Sequence, residues 1–94
     1  MEEREYIISL YDYYKNLLTD KQREYFEDYY FDNLTMEEIS ENDSVSKNAV
    51  SKQLINIKDK LEYYEINLNL YKNKQNIINI LKETDYLDKI TKYI

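Results

Sequence analysis

The spacing of the apolar residues is the feature that most restricts the fold of this chain. No alternating run is long enough for a convincing β-strand, and steps of three and four continue through most of the 94 residues. This is the period of one face of an α-helix, so the sequence predicts an all-α fold. Near the N-terminus the repeating residues are Tyr6, Ile7, Leu10, Tyr11, Tyr14, Leu17 and Leu18.

Helix-capping residues divide this pattern into segments. We predict a first helix from about Glu2 to Leu17. Thr19 followed by Gln22 fits a capping box, in which each side chain accepts a hydrogen bond from the other residue's backbone amide. A second helix therefore starts at Thr19 and ends near Asp32-Asn33. Its apolar side consists of Tyr25, Phe26, Tyr29 and Tyr30.

A second capping box starts the next helix. Thr35 and Glu38 repeat the pattern, and the short third helix is predicted to end near Asn42. Residues 42–44 then form a turn, and Ser46 is the predicted N-cap of a fourth helix. The inward side chains predicted for the third helix are Met36 and Ile39.

The fourth helix carries a long apolar stripe that starts at Val50. Three- and four-residue steps continue over about four heptads, which is the pattern of a helix–helix seam. After Val50 the stripe continues with Leu54, Ile57, Leu61, Tyr64, Leu68, Tyr71, Gln75 and Ile78. A second row on an adjacent face consists of Tyr63, Ile66, Leu70 and Ile77. So wide an apolar surface needs more than one neighbour. We therefore predict a long C-terminal helix that packs on the N-terminal helices and can pair with a second copy.

This pattern also gives the domain organisation. Residues 1–62 are predicted to form a helix-turn-helix core, and residues 63–94 a helical extension that packs on the core, forms a dimer interface, or does both. The homodimer contacts we expect are Leu68, Tyr71 and Ile78. The segment from Ile80 to Ile94 predicts a weaker amphipathic helix that is broken near Thr84-Asp85.

The composition argues against several classes of function. The chain has no cysteine and no histidine, so it lacks thiolate ligands and the commonest general base. It has no glycine, and nothing in it resembles a phosphate-binding loop. The carboxylates of the third helix, Glu37, Glu38 and Glu41, lack the spacing of a calcium loop and are expected to form a solvated acidic face. We expect no catalysis, no cofactor and no metal site.

Two further expectations concern location and the tyrosines. The first residues are charged and no apolar run approaches the roughly 20 residues of a membrane span, which predicts a cytoplasmic protein without membrane contact. Most of the 12 tyrosines fall within the apolar stripes, so packing is a better explanation for them than base stacking. Tyr13 is the exception, because its neighbours Tyr11 and Tyr14 leave it pointing elsewhere.

The charge is distributed unevenly along the chain. The formal net charge is −6, and residues 1–45 hold 13 acidic and 4 basic residues for a net of −9. Residues 46–61 hold 1 acidic and 4 basic residues for a net of +3. An asymmetry of this kind can direct which surface approaches a polyanion.

This basic segment coincides with the second helix of a helix-turn-helix pattern. In that motif the second helix enters the major groove of DNA with its N-terminal residues against the base edges. Lysine can contact phosphate or guanine, asparagine can pair with adenine, and serine can contact backbone or base. The candidate nucleic-acid-binding residues, which project away from the apolar stripe, are Lys47, Asn48, Ser51, Lys52 and Asn56.

A simpler interpretation is that the lysines form a solvated helix face. Spacing alone does not distinguish the two interpretations, because any three-helix bundle imitates a helix-turn-helix. Lys58 and Lys60 point toward different sides, and Ile55 lies in the middle of the proposed reading face. Ile55 could contact a thymine methyl group or another protein.

A family resemblance supports the first interpretation. The stretch "LLTDKQREYFEDYYFDNLTMEEIS" followed by "VSKNAV" resembles the fourth conserved region of bacterial sigma factors, and more closely the YlxM family of small bacterial proteins. The resemblance continues through "LEYYEINLNLYKNKQ" and covers about Tyr6 to Gln75. It implies a sigma-factor-like helix-turn-helix protein without known catalysis, which takes part in or regulates the signal recognition particle pathway.

The chain departs from the family pattern at two places. Basic residues are usual in the family at the positions of Ile55 and Asn56, and their loss would remove two phosphate contacts. Ser44 takes the place of a glycine or asparagine, which implies a looser turn. With two to four lysines for each subunit, a monomer is expected to bind duplex DNA weakly, and a homodimer would double the contacts. The rival hypothesis is a protein or RNA interaction module of the targeting machinery that does not bind DNA.

Overall fold

Helices account for nearly all of the backbone in the computed structural model, which describes residues 3–82 and 86–94. Within these residues there is no strand, and the predicted all-α fold is confirmed. The helices are α1 (Glu3–Tyr14), α2 (Asp20–Tyr30), α3 (Met36–Asp43), α4 (Lys47–Leu68), α5 (Leu70–Leu81) and α6 (Leu87–Ile90). Single 3₁₀ turns follow α1 and α6, at Lys15–Leu17 and Thr91–Tyr93.

Both predicted capping boxes are confirmed. The Thr19 hydroxyl oxygen accepts from the Gln22 amide at 3.1 Å, and the Gln22 side chain accepts from the Thr19 amide at 2.9 Å. Thr35 and Glu38 make the same reciprocal pair, with both distances at 3.1 Å. Each box satisfies two backbone amides that the first turn of a helix cannot satisfy itself. α2 and α3 therefore begin at the predicted positions.

The core lies between α4 and the three helices that precede it. The predicted stripe of Val50, Leu54, Ile57 and Leu61 is buried against α1, α2 and α3. The other buried apolar residues are Ile7, Leu10, Tyr11, Tyr14, Leu18, Tyr25, Phe26 and Ile39. Three of these are tyrosines, which supports the packing interpretation.

The predicted seam from Leu54 to Ile78 is wrong as a single helix. α4 ends at Leu68, because Asn69 takes the left-handed conformation with φ 56° and ψ 28°, and a separate helix α5 begins at Leu70. Asparagine adopts this conformation more readily than other residues with a side chain. The long helix is therefore central in the chain, and residue 62, the predicted end of the core, lies inside it.

A buried carboxylate joins the two helices at this break. Glu65 is only 6% exposed, and its oxygens accept from the backbone amides of Tyr71 at 3.1 Å and Lys72 at 3.0 Å. The Tyr14 hydroxyl donates to Glu65 at 2.6 Å and accepts from the Leu70 amide at 3.1 Å. A carboxylate at a helix N-terminus is stabilised by both the free amides and the helix dipole. Glu65 and Tyr14 thus cap α5 from outside its own sequence.

α5 packs on α1 less tightly than α4 does. The rings of Tyr71 and Tyr6 pack edge to face with their centroids 5.3 Å apart, and no residue of α5 is fully buried. Tyr13 is half-buried against the core, and within the described residues its hydroxyl has no hydrogen-bond partner. The break predicted near Thr84-Asp85 lies outside the described residues.

Removing the Glu65 carboxylate is expected to destabilise the fold. Glu65→Ala leaves two amides and the Tyr14 hydroxyl without their acceptor, and we expect a loss of about 2–3 kcal/mol in the free energy of unfolding. Urea unfolding followed by circular dichroism measures this change. Asp59→Ala, at an exposed carboxylate on the same helix, is the matched control and should stay within about 0.5 kcal/mol of the wild type. Equal urea midpoints for the two variants would contradict the capping role of Glu65.

The Tyr14 hydroxyl is expected to make stability sensitive to alkaline pH. Burial and then the hydrogen bond with Glu65 raise the pKa of Tyr14 from 10.0 to about 12. The folded state therefore holds this proton more tightly than the unfolded chain, so the contribution is complete below pH 10 and is lost as the pH rises from 10 to about 12. Urea midpoints measured between pH 8 and pH 11.5 should fall more steeply for the wild type than for Tyr14→Phe. The same slope in both proteins would show that Tyr14 does not carry this dependence.

Candidate nucleic-acid interface

The turn between α3 and α4 sets the direction of α4 relative to α3. Ser44 adopts the left-handed conformation, with φ 56° and ψ 42°, which costs a residue with a side chain more than it costs glycine. The turn is nevertheless hydrogen-bonded, since the Val45 amide donates to the Ser40 carbonyl at 3.0 Å. The predicted N-cap is confirmed, because the Ser46 hydroxyl accepts from the Ala49 amide at 3.0 Å. α3, the turn and α4 form the geometry of a helix-turn-helix unit.

α3 is also tied to α2 by charge. The Lys21 ammonium bonds to Asp43 at 3.2 Å, and this hydrogen bond raises the pKa of Lys21. Burial and then the carboxylates of Glu24 and Asp32 raise the pKa of Asp28 on the same helix. α2 and the end of α3 therefore carry the acidic side of the domain.

The candidate residues on α4 fall on more than one side of the helix. Asn48, Lys52 and Asn56 are exposed, and Ser51 is half-buried. Lys47 is also exposed, but five residues of an α-helix place it about 140° around the axis from Lys52. The structure therefore presents two separate cations at the start of α4, with asparagines beside Lys52.

The four lysines of this segment differ in their partners. Lys58 forms a salt bridge with Glu3, and Lys60 donates to the Gln22 side chain at 3.0 Å. In residues 3–82 and 86–94, no salt bridge joins Lys47 or Lys52 to a carboxylate. Only these two lysines of the segment are therefore available to an external anion without breaking a bond to the described part of the chain.

A cleft at the start of α4 contains a residue that the sequence patterns did not single out. Arg4 of α1 lines this cleft together with Lys47. The remaining walls come from α2, the loop that follows it, and the first residues of α3, namely Tyr29, Asn33, Leu34, Thr35, Met36 and Glu37. No periodicity or motif marks Arg4, because 43 positions separate it from Lys47 and only the tertiary fold brings them to one cleft.

The residues predicted for a dimer interface lie on both sides of the helix break. Leu68 ends α4 and is 49% exposed. Ile78 is half-buried on α5, and the ring of Tyr71 faces Tyr6 of its own chain. These three residues do not form one continuous helical seam. The other large exposed apolar side chains of the second half of α4 and of α5 are Tyr63, Ile66, Leu70 and Ile80.

Two other kinds of site are absent from the described residues. No three carboxylates of residues 3–82 and 86–94 come close enough together to hold a metal ion. In the same ranges, no helix has the length and the apolar content needed to cross a bilayer.

Comparison with known proteins agrees with this geometry. Residues 1–93 match the UPF0122 family, described as "Putative helix-turn-helix protein, YlxM / p13 like". The chain belongs to this family. The predicted resemblance is therefore confirmed, and with it the helix-turn-helix fold.

Individual relatives match over most of their length. A UPF0122 protein of Ureaplasma urealyticum serovar 10 is 38% identical over 91 residues, which cover 94% of this chain and 92% of the relative. A UPF0122 protein of Clostridium kluyveri is 37% identical over an alignment of 107 residues that covers 100% of this chain and 96% of the relative. One from Thermoanaerobacter sp. is 45% identical over 85 residues, which cover 90% of this chain and 68% of the relative. The similarity thus extends well beyond the helix-turn-helix unit.

Proposed function

We propose that this chain is a regulatory protein of the cytoplasm that binds duplex DNA by placing the N-terminal half of α4 in the major groove. The observation that carries the proposal is that Lys47 and Lys52 are exposed and, within the described residues, form no salt bridge. Membership of a helix-turn-helix family supports it.

The placement of the cations suits a groove. Phosphate backbones run along both edges of the major groove, so a helix inserted between them can meet one with each side. Lys47 and Lys52, about 140° apart, would contact opposite strands. Asn48, Asn56 and Ser51 would then face or flank the base edges, where asparagine pairs with adenine. Two phosphate contacts give only weak affinity for a monomer.

We further propose that two copies pair through the end of α4 and through α5. The exposed apolar residues Ile66, Leu68 and Ile80 support such an interface, and the half-buried Ile78 lies on the same helix as Ile80. Tyr71 would lie at the edge of this interface, since its ring also packs on Tyr6 of its own chain. Pairing would present two recognition helices and double the phosphate contacts. The pathway we propose, that of the signal recognition particle, rests on the family resemblance alone.

A second function is favoured by one observation. Ile55 is 55% exposed in the middle of the proposed reading face, and Tyr63 and Ile66 are also exposed further along α4. Exposed large apolar side chains suit a protein partner better than a DNA groove. Under this alternative the chain is an interaction module of the targeting machinery, and it binds no duplex DNA even at low salt.

Substituting the two unpaired lysines tests the DNA-binding proposal. The double variant Lys47→Ala, Lys52→Ala should bind a random 20-base-pair duplex at least about tenfold more weakly at 50 mM salt, because two charge-assisted contacts are lost. The slope of log affinity against log salt should become shallower by about 1.8. Fluorescence anisotropy titrations at several salt concentrations give both values.

The control removes the same charge elsewhere. Lys72→Ala with Lys92→Ala changes two exposed lysines of the C-terminal part and should leave the salt slope unchanged. An equal effect in both double variants would mean that net charge, and not the face of α4, governs binding. If the wild type shows no saturable binding at low salt, the DNA proposal is wrong and the interaction module replaces it.

The dimer proposal has its own test. Leu68→Asp places a charge in the proposed interface, so sedimentation equilibrium should give a dimer mass for the wild type and a monomer mass for the variant. Leu17→Asp is the matched control, because Leu17 is 50% exposed but lies outside α4 and α5, and it should remain dimeric. A monomer mass for the wild type at 100 µM, about the upper range of such measurements, would refute pairing through this surface.

A further inference from the structure

The cleft beside the start of α4 combines two cations from distant parts of the sequence. Its volume is about 580 Å³, and Arg4 and Lys47 both line it. Glu37 is the one carboxylate-bearing residue among those that line it. The balance of charge in the cleft therefore favours an anion, and the cleft adjoins the helix end that enters the groove under the proposed function.

Arg4 is held in place by its own chain. One terminal nitrogen of its guanidinium donates to the Tyr30 carbonyl at 2.7 Å and to the Asn33 side-chain oxygen at 3.3 Å. The guanidinium carbon lies 5.0 Å from the centre of the Tyr30 ring. In the ranges that the structure describes, Arg4 forms no salt bridge. The side chain is thus oriented without being neutralised.

This arrangement leaves donors for a ligand. A guanidinium carries five N–H groups, and the two bonds to Tyr30 and Asn33 occupy only one of its nitrogens. The N–H groups of the other two nitrogens can still donate to phosphate oxygens, although not as a fork, because each fork of a guanidinium includes the nitrogen that bonds to Tyr30 and Asn33. Because the planar group is already fixed by its stacking and its two bonds, little side-chain entropy is lost when it binds.

We propose that Arg4 binds a further phosphate of the DNA backbone, on the same strand that Lys47 contacts. The inference rests on the proposed function and deepens it, because it adds a contact from α1 that lies outside the helix-turn-helix unit. Since Lys47 and Arg4 both line the cleft, the strand would pass over it at the edge of the groove. The number of phosphates that each subunit neutralises rises from two to three.

The test compares salt slopes, which report the number of phosphates neutralised. The slope of log affinity against log salt should become shallower by about 0.9 in Arg4→Ala relative to the wild type. Arg4→Lys keeps the charge but loses the planar group that the bonds to Tyr30 and Asn33 orient, so it should keep the slope while affinity falls several-fold. The probe is the same random 20-base-pair duplex, and circular dichroism confirms that each variant is folded.

Asn33→Gly separates the charge of Arg4 from its role in holding α1 to the loop. Asn33 has φ 58°, a conformation that glycine adopts freely, so this variant removes the acceptor oxygen without straining the backbone. It should retain the wild-type slope. A slope in Arg4→Ala equal to that of the wild type, with DNA still bound, overturns the Arg4 contact alone. Absence of any DNA binding by the wild type overturns the proposed function and the Arg4 contact with it.

Discussion

The burial of one stripe on α4 determines the orientation of every other part of the molecule. Val50, Leu54, Ile57 and Leu61 are between 0% and 7% exposed, and each contributes on the order of 1.5–3 kcal/mol by leaving water. Turning α4 about its axis by one residue would expose part of this stripe to solvent. The rotation of the helix is therefore fixed, and with it the outward direction of Lys52 on the opposite side.

The charged residue in this otherwise apolar pattern determines where α4 ends. Glu65 continues the buried side of the helix one turn beyond Leu61, and an uncompensated carboxylate there would cost several kcal/mol. The compensation comes from the Tyr14 hydroxyl of α1 and from the amides of Tyr71 and Lys72 in the first turn of α5. These amides point at Glu65 because the chain turns at Asn69, so the break in the helix and the burial of Glu65 are coupled. A continuous helix would have left the acid without its two amide donors.

The sequence predicted the features that depend on residues close together in the chain and missed those that depend on residues far apart. Capping boxes such as Thr35 with Glu38, and the stripe from Val50 to Leu61, depend on residues three or four positions apart, so spacing alone was sufficient. The break at Asn69 depends on Tyr14, which is 56 positions from the amide it accepts from. The spacing of apolar residues continues through Asn69, and it gives no information about the hydrogen-bond donors that a buried carboxylate needs. The heptad pattern therefore could not predict the break.

The candidate interface shows the same division. That the start of α4 would be exposed and basic followed from its spacing and charge, whereas the partners of its lysines did not. Lys58 bonds to Glu3, 55 positions away, and Lys60 bonds to Gln22, 38 positions away, so neither partner could be identified from the local sequence. That Arg4 and Lys47 line the same cleft depends in the same way on the tertiary fold. The charge of a segment was predictable, but the number of its cations that remain available to a ligand was not.

The acidic body makes the position of these few cations decisive. Residues 1–45 carry a net charge of −9, which repels a polyanion at long range, but at physiological salt this field is screened beyond about 8 Å. Attraction by Lys47, Lys52 and Arg4 therefore acts only where the start of α4 is already close to a phosphate backbone. Approach by any acidic face gains nothing, because its carboxylates are the nearest charges. Under the proposed function, an acidic protein with a small cationic end would restrict the orientation in which it meets DNA, and the affinity lost to low positive charge would be recovered when a second copy supplies a second such end.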